Sequence, residues 1–172
     1  FAEVTNLHEM DAAIKRYGAT SAQYEQDTGA MYEVYCEFFC KRFGLESRIG
    51  AKNVLATCED KYNVGFDFSF TDATNELPGM IQTKWRNDPS RKFTRLELGT
   101  FSSVLHESDI KRQQSILFTN LSNVNDGVFH FSFVDGAKRQ FRVWDYTFQS
   151  EFIERTPSFF DEFRLSLEES CK

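Results

Sequence analysis

The chain contains few residues that break regular secondary structure, since only nine glycines and three prolines occur among its 172 residues. Hydrophobic residues make up 41% of the chain and charged residues 27%. This composition excludes collagen-like, low-complexity and intrinsically disordered proteins, because enough apolar area exists to offset the entropy of ordering. The length predicts one folding unit over residues 1–172, and the 19 phenylalanines predict an aromatic core.

Long hydrophobic runs and closely spaced metal-binding pairs are also missing. No apolar run approaches the ~18 residues of a membrane-spanning helix, and no charged-then-apolar leader opens the chain. The four cysteines include no C-x-x-C pair, and the three histidines lie far apart, which argues against a zinc site. We therefore expect reduced, mostly buried thiols, a cytoplasmic location and no membrane partner. Because the first residue is Phe rather than Met, we expect a domain of a longer protein.

Positive charge is concentrated in one short segment of an acidic chain. The net charge is −6 at pH 7, but five basic residues and a single acid lie between residues 84 and 95. A local basic strip is compatible with phosphate contact, because affinity depends on the local field and not on the total charge. The alternative is a solvated, charged loop. The basic residues of the strip are Lys84, Arg86, Arg91, Lys92 and Arg95.

Helical signals occur at four places. Helices are predicted over about 7–17 and 21–43, the second ending at Gly44, a residue type that suits a left-handed helix stop. The sequence Thr94-Arg95-Leu96-Glu97 is a capping box that opens a helix to about residue 107. A last helix begins near Thr156-Pro157. One apolar stripe on the second helix contains Tyr32, Tyr35, Cys36, Phe39 and Phe43.

Alternating and apolar segments predict the strands. The segments over 64–70 and 80–86 flank a turn rich in Asn, Pro and Gly, which predicts an antiparallel hairpin. Without repeats or linkers, this order of elements predicts an α/β or α+β fold with a central mixed sheet flanked by helices. The other predicted strands lie within 45–58 and over 115–119, 128–134 and 140–146.

Three polar residues of the hairpin can carry chemistry together. Alternation places Asp67 on one strand, and Gln82 and Lys84 on the next, on polar faces that meet if the strands pair in register. Carboxylate and carbonyl oxygens are ligands that Mg²⁺ prefers, and a nearby lysine can orient a water or offset phosphorane charge. Glu33 or Glu37 could complete the acidic site. The alternatives are an ordinary exposed acid for Glu33, a surface pair with Lys41 for Glu37, and a plain strand residue for Gln82.

A set of three motifs carries a resemblance to a known family. The motifs are G-x-x-Y-E at 29–33, G-F-D at 65–67 and I-Q-T-K-W-R at 81–86. Together they resemble the PD-(D/E)XK nuclease superfamily, and most closely its Mrr-type restriction endonuclease branch, whose third motif is Q-x-K. The resemblance implies a restriction-endonuclease-like core over 29–119. Residues 1–20 would then be an N-terminal extension, and residues 120–172 would add strands and a closing helix.

The resemblance also implies roles for individual residues. Glu33 matches the helix-borne acid, Asp67 the central metal ligand, Gln82 the second ligand and Lys84 the catalytic lysine. With the Thr83 backbone carbonyl, the first three would hold Mg²⁺ or Mn²⁺, and Lys84 would position the attacking water. The implied nucleic-acid-binding residues, which would hold phosphates, are Arg86, Arg91, Lys92 and Arg95.

The expected function is therefore that of a Mg²⁺- or Mn²⁺-dependent endonuclease that hydrolyses DNA phosphodiester bonds. Its expected partners are DNA, a fused or associated helicase as in phage and mobile-element relatives, and a second copy of the chain, since cutting both strands commonly takes two active sites. The alternative is a non-catalytic module that keeps the fold and binds nucleic acid or protein. The residues leave the substrate open among duplex, flapped, branched and modified DNA, and RNA.

Overall fold

A computed structural model describes residues 3–44, 51–55, 68–72, 78–88, 90–91, 114–122 and 140–172. Four helices lie in these ranges: α1 (Leu7–Ala19), α2 (Tyr24–Phe43), α3 (Tyr146–Glu154) and α4 (Phe159–Ser170). The five strands are β1 (Ala51–Leu55), β2 (Phe68–Asp72), β3 (Pro78–Lys84), β4 (Gln114–Thr119) and β5 (Gln140–Trp144). The α+β class expected from the sequence is confirmed.

The strands form one mixed sheet in the order β1-β2-β3-β4-β5. The pairs β1–β2 and β2–β3 are antiparallel, which confirms the predicted hairpin, and Phe68 lies opposite Ile81 in its register. Strands β4 and β5 run parallel to β3, with Lys84 opposite Thr119. The carboxyl ends of β3, β4 and β5 therefore lie at the same edge of the sheet.

Most predicted helix bounds agree with the structure. The first helix begins at Leu7 as predicted and extends two residues further. Helix α2 ends at Phe43, and Gly44 adopts the left-handed conformation with φ 75°, as its residue type predicts. Its start was predicted three residues too early, because the Ser21 hydroxyl accepts from the Gln23 amide and holds a turn before the helix. The predicted helix over 94–107 and strand over 128–134 lie outside the described residues.

Several strand ends predicted from the sequence are wrong. The strand predicted over 64–70 continues to Asp72, and its residues 64–67 lie outside the described ranges. The strand predicted over 140–146 stops at Trp144, because the Asp145 side chain accepts from the Phe148 amide at 2.9 Å and begins helix α3. The strand predicted over 80–86 begins at Pro78 and stops at Lys84. No helix was predicted where α3 lies. An Asp directly before a new apolar period, such as Asp145, is nevertheless a typical N-cap signal.

The core is aromatic, as the phenylalanine content predicts. Phe39 of α2 is fully buried, and its ring lies 5.3 Å from Phe118 of β4 and 5.1 Å from Phe152 of α3. Phe163 of α4 is also buried, with its ring 6.0 Å from that of Tyr35. Edge-on and tilted ring pairs at such distances add to the free energy gained by burial. The aromatic stripe of α2 thus joins the sheet to both C-terminal helices.

One buried glutamine connects the carboxyl edge of the sheet to α2. Gln149 of α3 is 1% exposed, and its amide nitrogen donates to the backbone carbonyls of Thr119 at 2.8 Å and Trp144 at 2.9 Å. Its amide oxygen accepts from the Tyr35 hydroxyl at 3.0 Å, and its nitrogen also lies 3.3 Å from the Tyr32 hydroxyl. Every polar atom of the side chain therefore has a partner inside the core.

Replacing this glutamine should lower stability because it leaves buried groups unsatisfied. Gln149→Met keeps the length of the side chain but removes its bonds to Tyr35, Thr119 and Trp144. We expect the free energy of unfolding to fall by about 2–4 kcal/mol. The exposed Gln26 of α2 provides a matched control, and Gln26→Met should change stability by less than about 0.5 kcal/mol. Urea denaturation followed by circular dichroism measures both, and equal stability of the two variants would show that the Gln149 bonds contribute nothing.

Candidate functional site

A cavity of about 650 Å³ lies at the carboxyl end of β3, against the N-terminal half of α2. This volume is in the range of small-ligand sites. The crevice beyond the carboxyl ends of parallel strands is also a common position for ligands. Helix α2 contributes Tyr24, Glu25, Thr28, Gly29, Tyr32 and Glu33 to the cavity wall. The end of β3 contributes residues 82–84, and the segment after it contributes residues 85–88 and Arg91.

The cavity brings together most of the residues singled out from the sequence. Glu33 comes from α2, whereas Gln82, Thr83 and Lys84 are the last three residues of β3. All four line the same cavity. Gln82 and Thr83 are buried, at 6% and 8% exposure, while Glu33 and Lys84 are half-buried. Asp67, the predicted central metal ligand, lies outside the described residues.

The donor atoms at this end of the cavity suit a hard divalent cation. The Gln82 amide nitrogen donates to the Thr83 backbone carbonyl at 3.1 Å, so the amide and the carbonyl face each other. Rotating that amide by half a turn would put its oxygen beside the Thr83 oxygen, and both could then face one cation. The Glu33 carboxylate lines the same cavity, and carboxylate, amide and carbonyl oxygens are ligand types that Mg²⁺ and Mn²⁺ accept.

Positive and negative side chains occur in equal numbers around the cavity. The basic residues are Lys84, Arg86 and Arg91, and the acidic ones are Glu25, Glu33 and Asp88. Such a cavity has no net formal charge, so a bound divalent cation would make it attractive to a phosphate. The predicted phosphate contacts Lys92 and Arg95 lie outside the described residues.

Asn120, a residue that the sequence analysis missed, fixes the chain just after Lys84. Its side-chain oxygen accepts from the Arg86 backbone amide at 2.8 Å, and its nitrogen donates to the Arg86 carbonyl at 2.7 Å. Asn120 is 3% exposed and directly follows β4. The Asn120 side chain thus bonds the Arg86 backbone atoms that a longer β3 would pair with the neighbouring strand. Strand β3 therefore ends at Lys84 and not at Arg86. Its only sequence signal is a polar residue directly after a buried strand.

Helix α1, expected as an N-terminal extension, packs into the same core and supports the site. Its residues Leu7, Met10 and Ile14 are buried. The Trp85 indole nitrogen donates to the Asp11 carboxylate at 3.2 Å, and Trp85 is 9% exposed and belongs to the core. Burial raises the pKa of Asp11 above its usual value, although hydrogen bonds from Trp85 and Asn120 act in the opposite direction.

Glu37, the second candidate acid of α2, has a different role. Its carboxylate lies 2.7 Å from the Lys41 ammonium one turn later, as the spacing predicts. Glu37 does not line the cavity. The structure therefore separates the two helix acids, with Glu33 at the cavity and Glu37 in a surface ion pair. Such a pair adds little to stability.

The raised pKa of Asp11 predicts a pH dependence of stability. A carboxyl group with a higher pKa in the folded state stabilises the fold below its unfolded pKa, about 3.9, and this contribution is lost as pH rises through the folded value. Asp11→Asn cannot ionise, so its stability relative to the parent should increase as pH rises from about 4 to 7. The exposed Glu151 gives a control, since Glu151→Gln should leave the pH profile unchanged. Thermal denaturation across this range measures the effect, and parallel profiles for Asp11→Asn and the parent would contradict it.

Within the part of the chain that the structure describes, no three His, Cys, Asp or Glu side chains are grouped so that they could hold a metal ion. The donor set above instead combines one carboxylate with an amide and a backbone carbonyl. No helix in the described ranges is long and apolar enough to cross a membrane. Comparison of the chain with protein-family models, curated proteins and solved structures found no match.

Proposed function

We propose that this domain is a Mg²⁺- or Mn²⁺-dependent endonuclease that hydrolyses DNA phosphodiester bonds. The observation that carries the proposal is the shared cavity of Glu33, Gln82, Thr83 and Lys84. These residues come from a helix and a strand that lie far apart in the sequence. Neither motif implies the position of the other, so their meeting in one cavity supports a common role.

The order of the elements agrees with the core that the resemblance implies. Helix α2 precedes the antiparallel strands β1, β2 and β3, and β4 then lies parallel to β3. The resemblance implies helix, three strands, helix and strand, and its second helix would lie between β3 and β4, in residues outside the described ranges. A restriction-endonuclease-like core is therefore part of the proposal.

Glu33, Gln82 and the Thr83 carbonyl would hold the metal ion. Asp67 is the residue directly before β2, the strand that pairs with β3, and we propose that it supplies the second carboxylate. A bound divalent cation would polarise the scissile phosphate and lower the pKa of a coordinated water. Since a Q-x-K site has one carboxylate fewer than an E-x-K site, the proposal favours one tightly bound ion.

The protein's own cations would act on the phosphate and the water. Lys84 is half-buried at the cavity wall, where the surroundings screen its charge less than water does. It would orient the attacking water and offset the negative charge that develops in the transition state. Arg86 is held at both backbone polar atoms by Asn120, and Arg91 is exposed, so these two would bind flanking phosphates.

Replacing the lysine separates catalysis from binding. Lys84→Ala should leave the affinity for DNA and for Mn²⁺ nearly unchanged but lower the cleavage rate at saturating DNA by about 10²-fold or more. The control is Lys41→Ala, because Lys41 is 64% exposed, pairs with Glu37 and lies outside the cavity. The assay uses a labelled oligonucleotide with Mg²⁺, with Mn²⁺ and with EDTA.

Three outcomes of this assay have distinct meanings. Loss of rate only in Lys84→Ala supports the proposed role of the lysine. A fall in DNA affinity with an unchanged saturated rate would make Lys84 a phosphate-binding residue. Absence of metal-dependent cleavage by the parent protein would contradict the nuclease proposal and favour the alternative, a module that binds nucleic acid or protein without cutting it.

A further inference from the structure

We infer that the end of the cavity at Tyr24 and Gly29 is a binding subsite for one unpaired base of a nucleic acid strand. The inference rests on the proposed function, because it assigns the adjoining phosphate to the basic residues of the same cavity. The preferred substrate would be single-stranded or would carry an unpaired segment, as a flap does.

Tyr24 is a rigid aromatic part of the cavity wall. Its ring lies against the backbone of Gly18, where an added side-chain carbon would come within 2.7 and 2.8 Å of two ring carbons. Its hydroxyl donates to the Asn87 side-chain oxygen at 2.5 Å, across the cavity from α2. The ring is therefore held on one side by packing and at its tip by a hydrogen bond. A flat, preorganised ring of this kind is suited to stacking on a base.

Gly29 lines the same cavity as Tyr24 and leaves open space in it. It lies within the 20-residue helix α2, where glycine is less stabilising than alanine. A side-chain carbon at this position would meet no atom within 4 Å, so packing does not require the glycine. Gly18, in contrast, is required by its contacts with Tyr24 and Thr28. The missing side chain at Gly29 therefore leaves this part of the cavity open, and we infer that a base occupies it.

The charges around the cavity indicate where the base and the phosphate of a bound nucleotide would lie. Glu25 and Asp88 line the cavity, and Glu25 lies one residue from Tyr24, where a carboxylate disfavours a phosphate. The Asp88 carboxylate accepts from the Ser90 hydroxyl and amide, and this lowers its pKa, so it stays ionised at neutral pH. Lys84 and Arg86 follow Gln82 and Thr83 and offer positive charge for the phosphate. A neutral base fits beside Tyr24, and the phosphate fits beside Lys84.

The size of the cavity favours an unpaired nucleotide over an intact duplex. About 650 Å³ is enough for a nucleotide but not for a double helix. A base within a duplex would have to leave its stack and its pair before it could enter, which is unfavourable. A single strand already presents its bases, so it avoids this cost. DNA and RNA offer the same base surfaces, and both are included in the test.

A scan with abasic sites tests the subsite without cleavage. Labelled single-stranded oligonucleotides, each lacking one base, are titrated in EDTA and their affinities measured by fluorescence anisotropy. We expect one abasic position to weaken binding to the parent protein about tenfold. The same position should have no effect on Tyr24→Leu, because the ring that it stacks on is gone. Tyr17→Leu is the matched control, since Tyr17 is 51% exposed on α1 and lies outside the cavity.

A second pair of variants tests the space at Gly29. Gly29→Leu should fill the subsite and weaken single-strand binding about tenfold without lowering the free energy of unfolding. Ala30→Leu, at an exposed neighbouring position outside the cavity wall, should bind as the parent does. An RNA strand of the same sequence tests whether the sugar is distinguished, and the matched duplex should bind more weakly than either single strand.

A flat abasic scan, a scan that Tyr24→Leu leaves unchanged, or duplex binding as tight as single-strand binding would overturn the inference. The cleavage assay is independent of these measurements. Metal-dependent cleavage with a flat scan would reject the subsite and retain the nuclease. A Tyr24-dependent abasic position without cleavage would retain the subsite and reject the nuclease.

Discussion

The position of the cavity depends on the hydrogen bonds of Gln149. This side chain binds the backbone carbonyls at the ends of β4 and β5 and, through Tyr35, the middle of α2. Burial raises the pKa of both Tyr32 and Tyr35 well above the usual value, so their hydroxyls stay protonated. Tyr32 also lines the cavity. The helix that carries Glu33 is thereby set against the sheet edge that carries Lys84.

A second set of polar contacts restricts the backbone that carries Lys84 and Arg86, two basic residues of the cavity. Asn120 holds both backbone polar atoms of Arg86, and Asp11 accepts from the Trp85 indole. Because both backbone polar atoms of Arg86 are hydrogen-bonded, the backbone of the neighbouring residues is also restricted. Lys84 and Arg86 can therefore present their charges in a fixed arrangement, which electrostatic stabilisation of a transition state requires.

The sequence predicts what depends on local spacing. The stripe of α2, the Gly44 stop, the β2–β3 hairpin and the Glu37–Lys41 pair all follow from residues a few positions apart. What it misses depends on side chains that meet across the fold. Strand β3 ends at Lys84 because of Asn120, and their contact has no local pattern. Helix α3 carries a local signal, the Asp145 N-cap, but the Gln149 contacts that hold it against the core join residues far apart in the sequence. Of the proposed metal ligands, Glu33, Gln82 and Thr83 line the same cavity.

The most direct test of the metal site compares the two acids of α2. Glu33 lines the cavity, and Glu37 forms a surface pair one turn later on the same helix. Calorimetric titration with Mn²⁺ should show binding to the parent and to Glu37→Gln with equal affinity. Glu33→Gln should bind Mn²⁺ about tenfold more weakly or worse. Loss of a residue that only supports a metal ligand already lowers metal affinity by about this factor. Equal affinity of the two variants, or no binding by the parent, would contradict a metal site in this cavity.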